Sequence, residues 1–187
     1  PNNLGQGARF TDSDWFVIEG DEYDSAFFDK TAKFLKYLPD VAVVGNLEFD
    51  HADIYADVDA IKSAVRRLVT LVPRQGLLVL GADSPGAFEM RAGAPCRVTT
   101  FGLGETAEWR ATGVEAAPDG MTFAVEHRGD PVTEVRVPLV GEFNVRNVLA
   151  AFAVASEVGL DPTTMAASVA RFEGVRRRLE VRGQERG

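Results

Sequence analysis

Two histidines serve the whole 187-residue chain. One of them, His51, stands between Asp50 and Asp53 in the stretch VVGNLEFDHADIY, residues 43–55. A second acid-rich segment, EGDEYD, occupies residues 19–24. A carboxylate beside an imidazole makes a partial site for a divalent cation. Magnesium suits such a site, because it leaves the rest of its shell to waters and substrate phosphates. Glu19 and His51 are the pair to consider. The plain alternative is a set of acids solvated at strand ends, and spacing alone does not separate the two.

Farther along, GEFNVRN at 141–147 sets Asn144 and Asn147 three residues apart, on one face of a helix. An amide donates and accepts at once, which suits an adenine edge; Asn144 taken alone also suits a helix cap. Arginines 176–178 could grip phosphate through planar forks or form a solvated turn. His127, next to Arg128 and Gly129, reads as a surface residue, and Cys96 as a packed one. The chain carries no G-x-G-x-x-G, no G-x-x-x-x-G-K-[ST] phosphate loop, no C-x-x-C and no serine–histidine pattern for a nucleophile.

The elements that would position these groups follow from hydropathy. Short apolar runs at 15–18, 41–46, 76–82 and 97–102 read as buried parallel strands. DVDAIKSAVRRLVTLVP places Ile61, Ala64, Val65, Leu68 and Val72 at helical spacing, with Asp57 or Asp59 as cap and Pro73 as stop. Strand, helix, strand at this length is the unit of a parallel sheet. In such a sheet ligands sit outside the carboxyl ends of the strands, where EGDEYD and NLEFDHAD would fall. From 108 to 138 the texture becomes alternating, with PDG at 118–120 as a tight turn. That segment reads as a small antiparallel sheet appended beside the main one. Two helices follow, NVRNVLAAFAVASEVGL ending at Gly159 and DPTTMAASVARF with Pro162 in its first turn. The expected fold is α/β, a mainly parallel sheet flanked by helices with an antiparallel appendage.

The balance of 20 basic against 28 acidic residues, net charge −8, argues against a general nucleic-acid binder, which needs a basic face. The single cysteine cannot form an internal disulfide, so a reducing, cytoplasmic setting is expected. No apolar run is long enough for a membrane span. The chain opens on Pro1, and EVRGQERG at its end reads as the start of a strand, which suggests a fragment of a longer enzyme.

Taken in order, EGDEYDSAFFDK, NLEFDHADIY, GEFNVRNVLAA and GVRRRLEVRG resemble the central domain of the Mur ligase family. The resemblance covers nearly all of residues 1–187. It implies a central ATP-binding domain of the phosphate-loop NTPase type. The UDP-binding N-terminal domain, the phosphate loop and the C-terminal domain would lie outside this chain. Within the family, DEYDSAFFDK, NLEFDHADIY and RRRLEVRG look most like the recycling branch. That branch joins UDP-N-acetylmuramate to the tripeptide L-alanyl-γ-D-glutamyl-meso-diaminopimelate, using ATP and Mg2+ and passing through an acyl phosphate. The similar ligase that adds L-alanine to the same nucleotide sugar is the alternative. A non-catalytic nucleotide-binding or assembly module is the alternative of another class. By motif position the resemblance implies Glu19 and His51 as magnesium ligands serving catalysis, Asn144 and Asn147 as adenine contacts and Arg178 near the phosphates, with Glu22 and Asp50 as neighbours. Phe143 stands where the family has histidine, and Gly20 where it has alanine. Neither Arg66 nor Lys62 matches the carbamylated lysine of some members. Without a phosphate loop, this chain alone is expected to bind ATP very weakly and to be inactive as a ligase.

Overall fold

The computed structural model describes residues 3, 8–21, 23–47 and 57–175. A short antiparallel hairpin, β1 (Asp24–Ala26) and β2 (Asp29–Ala32), comes first. A six-stranded sheet follows, in the spatial order β3 (Val41–Val44), β4 (Leu77–Gly81), β5 (Arg97–Gly102), β6 (Trp109–Ala117), β7 (Gly120–His127), β8 (Asp130–Val137). β3 to β6 pair in parallel, and β6 to β8 pair antiparallel.

β4 explains why its sequence is apolar without alternation. Leu77 and Val79 belong to the core on one face of the sheet, and Leu78 and Leu80 to the core on the other. The strand's period of two therefore aims every residue at a buried neighbour. One face is covered by α1 (Val58–Leu71), whose Val65 and Val69 pack with Val72 on Ala42, Val44, Leu78 and Leu80. Asp57 caps α1 by accepting from the Ala60 N–H at 2.8 Å. The other face is covered by α3 (Glu142–Glu157) and α4 (Pro162–Ala170). Val145, Leu149 and Phe152 of α3 lie against Val79, Phe101, Phe123 and Val135. Asp161 caps α4 through the Thr164 N–H at 2.8 Å. Between β4 and β5 runs a short helix, α2 (Pro85–Phe88), and a 3-10 turn over Glu89–Gly93. Gly81 ends β4 where a side chain has no room, since a Cβ there would lie 2.0 Å from the Gly45 carbonyl oxygen.

Two expectations need correction. The run at 15–18 is not a strand. It forms neither strand nor helix, and Val17 is 89% exposed. A parallel strand is stable when it is paired and covered on both faces, and no described strand lies beside it. The antiparallel segment forms as expected, with PDG at the β6–β7 turn, but it is not a separate appendage. Residues 103–108 loop back so that Trp109 pairs with Phe101 and Arg110 with Gly102, which joins β6 to the edge of β5. The hairpins thus continue the main sheet. No described helix is long and apolar enough to cross a membrane.

Candidate functional site

The carboxyl end of the parallel strands is held by one ionic knot. Asp83, just past β4, accepts from the backbone N–H groups of Leu103 at 2.9 Å and Gly104 at 3.1 Å, and from Arg146 Nε at 2.7 Å. Burial pushes the Asp83 pKa up, but these three donors outweigh it and leave the carboxyl below its usual range. Arg146 also reaches Glu142 at 3.4 Å, one turn back on α3. The knot ties α3 to the β4 and β5 ends and so sets which way the helix faces. Sequence reading missed it. The signal available was an acid closing the apolar run GLLVLGAD and an arginine between two asparagines.

A groove of about 580 Å³ opens between the β8 exit, the start of α3 and α4. Leu139, Val140, Val148, Met165, Val169 and Phe172 line it with aliphatic and aromatic surface, and Phe143, Asn144 and Asn147 also line it. Apolar walls with a few convergent polar groups are the usual form of a small-molecule site. The path into α3 is shaped by Gly141, which takes φ of +100°. A Cβ there would meet the Phe143 ring at 2.5 Å, so only glycine lets the ring lie over the turn. Asn144 donates its Nδ2–H to the Val140 carbonyl at 2.9 Å, closing the same turn. Asn147 is exposed on the groove side of the helix.

The structure thus brings Asn144 and Asn147 to one groove. Glu19 lies exposed in the segment before β1. His51, with Asp50, Glu22 and Arg178, lies outside the described residues, so the expected approach of Glu19 to His51 does too. Among the described residues no three His, Cys, Asp or Glu side chains cluster tightly enough to hold a metal. His127 is not simply solvated. Its ring stacks on Trp109 with centroids 4.2 Å apart and planes 12° from parallel. Burial and the charge of Arg128 lower its pKa against the pull of Glu108 and Asp130. Cys96 packs beside the α1-side core, and burial raises its pKa.

The Mur ligase middle-domain model matches residues 4–155. The chain belongs to the Mur ligase family. Among curated Mur ligases it is 40% identical over 187 residues to the Escherichia coli UDP-N-acetylmuramate–L-alanyl-γ-D-glutamyl-meso-2,6-diaminoheptandioate ligase, covering 100% of this chain and 40% of that protein. It is 38% identical over 166 residues to the UDP-N-acetylmuramate–L-alanine ligase of Chlorobaculum tepidum, covering 89% of this chain and 34% of that one. A solved structure of the tripeptide-type ligase from Neisseria meningitides superposes with a TM-score of 0.76 at 42% identity, over 87% of this chain and 49% of the other. The chain spans about 40% of the length of the first two curated Mur ligases it matches.

Proposed function

We propose that this chain is the central domain of an ATP-dependent ligase that joins UDP-N-acetylmuramate to L-alanyl-γ-D-glutamyl-meso-diaminopimelate. The observation that carries this reading is the 40% identity, across the whole chain, with a ligase named for those substrates. In the reaction the muramyl carboxylate attacks the γ-phosphorus of ATP, and ADP leaves. The peptide amine then attacks the acyl carbon, phosphate leaves, and an amide forms. Such chemistry is driven mainly by positioning and by electrostatic stabilisation of the phosphates.

Within this reading the α3 groove receives the adenine end of the nucleotide through the face that carries Asn144 and Asn147. By motif position, Arg178 is the residue assigned to the phosphates. Glu19 supplies an exposed carboxylate of the hard-oxygen type magnesium takes, and His51 is its partner. When bound there, Mg2+ neutralises phosphate charge.

The test uses the complete polypeptide with UDP-N-acetylmuramate and ATP, and follows ADP release and amide product. Turnover with the tripeptide, lost in His51→Ala, is the expected result. Turnover with L-alanine alone would shift the reading to the alanine ligase, which the Chlorobaculum tepidum relative favours. No ADP release with either acceptor would leave the nucleotide-binding or assembly module.

A further inference from the structure

The chain leaves α4 through a tether made by a residue from its other end. Asn3 donates its Nδ2–H to the Arg171 carbonyl at 2.7 Å, and its Oδ1 accepts from the Glu173 N–H at 2.7 Å. The partners lie 168 and 170 positions away, so no local turn accounts for these bonds. An amide side chain carries the same donor and acceptor as a peptide group. Asn3 therefore stands where the peptide of a neighbouring strand would stand, bridging a carbonyl and the N–H two residues on. The N–H groups of Arg171 and Phe172 still bond back to Ser168 at 3.3 Å and Val169 at 3.0 Å, the last turn of α4. The Arg171 carbonyl lies at the helix end, where carbonyls lack an intrahelical partner, and Glu173 is the first residue beyond that turn. Residues 172–175 form neither strand nor helix, so no ladder of their own fixes them. Gly174 then turns the chain at φ of +77°, and a Cβ there would lie 3.4 Å from Leu139 Cδ2. Phe172, between the two tethered residues, lines the groove, and Val175 lines it too.

We propose that Asn3 is a positioning residue of the ligase, which fixes the chain leaving α4 and, through Phe172 and Val175, one wall of the groove. It acts through that segment and needs no contact with a ligand. A wall that is loose in the free protein must be ordered when a ligand binds, and that ordering weakens binding. Asn3 removes this cost in advance. The arginines at 176–178 follow directly on the tethered segment, so the same two bonds set where the chain that carries them starts. The kinetic part of the proposal rests on the functional reading above; the tether itself does not.

The experiment compares the complete polypeptide with its Asn3→Ala and Asn3→Asp variants in two assays. Hydrogen exchange, read by mass spectrometry on the peptide spanning 171–175, reports the tether. Asn3→Ala frees the Glu173 N–H, and exchange there is expected to quicken roughly tenfold. Steady-state ADP release reports the positioning. Asn3→Ala is expected to raise KM for ATP roughly 5- to 20-fold with kcat within about twofold and a thermal midpoint within about 2 °C of the parent. A merely structural role would lower the midpoint and leave KM where it was. Asn3→Asp keeps the size and the acceptor but turns an anion toward the Arg171 carbonyl, so its KM is expected to rise at least as far as that of Asn3→Ala. Exchange at Glu173 within about twofold of the parent in Asn3→Ala would show that the tether does not form. Quickened exchange with KM for ATP unchanged, or a parental KM in Asn3→Asp, would overturn the positioning role while the ligase reading stands. If the parent polypeptide releases no ADP, the ligase reading fails and the positioning role with it, whereas the exchange result still decides the tether.

Discussion

Asp83→Ala is the substitution that most directly tests how the carboxyl edge is built. The carboxylate accepts three hydrogen bonds, at 2.7, 2.9 and 3.1 Å. Charge-assisted bonds contribute ~1.5–3 kcal/mol each before water competes. Here water does compete, since the Leu103 and Gly104 N–H groups lie near solvent and Arg146 retains Glu142. A net loss of ~2–3 kcal/mol is therefore expected. With a urea slope of ~2 kcal/mol/M for a domain of this size, the unfolding midpoint of the 187-residue chain should fall by about 1–1.5 M. Asp83→Asn keeps the shape and loses the charge, so its cost should be about half that. The sign of the pH effect follows from the lowered pKa. The folded carboxyl titrates below the unfolded value of 3.8, so its contribution is complete above that value and is lost as pH falls through the folded pKa. The gap between parent and Asp83→Asn should be full at neutral pH and close in acid. A midpoint shift under ~0.2 M for Asp83→Ala, or a gap that persists in acid, would refute the claim that this knot anchors α3.

Two further outcomes are expected. Asp57→Ala removes the cap of α1 and should cost ~1 kcal/mol, read by urea denaturation, with the sheet unchanged by circular dichroism. Leu78→Ala, at a fully buried position of β4, should cost ~2–5 kcal/mol, while the exposed Val43→Ala on neighbouring β3 should cost far less.

How much of this was legible depended on whether the determining contacts were local. Asp57, Asp161 and Gly159 mark helix ends through hydrogen bonds or dihedrals a few residues away, so the sequence carries them directly. β4 is legible because burial on both faces leaves an unbroken apolar run. The union of β6 with β5 was not legible. Parallel pairing ordinarily needs a crossover of a dozen or more residues, yet here residues 103–108 suffice because only two residue pairs are made. The run at 15–18 misled because apolar character reports a need for burial without saying what meets it. The spacing that puts Asn144 and Asn147 on one helical face was legible, but the Asn144–Val140 hydrogen bond that closes the turn was not. His51 and Arg178 rest on motif position alone.

β3 is the outer strand of the sheet among the described residues. One side of its backbone has no described partner, and Val43 is 46% exposed. Trp15, Phe16 and Ile18, also exposed, lie in the segment before it. An edge with no described partner is a template for an extended chain of matching register. In a test tube of the 187-residue chain, the nearest such chain is another copy. Association should therefore rise with concentration and fall when Val43 is replaced by lysine, a charge that natural edges use as a guard. Handled dilute, the domain reports its own stability; handled concentrated, it reports how strongly this strand edge draws a second copy.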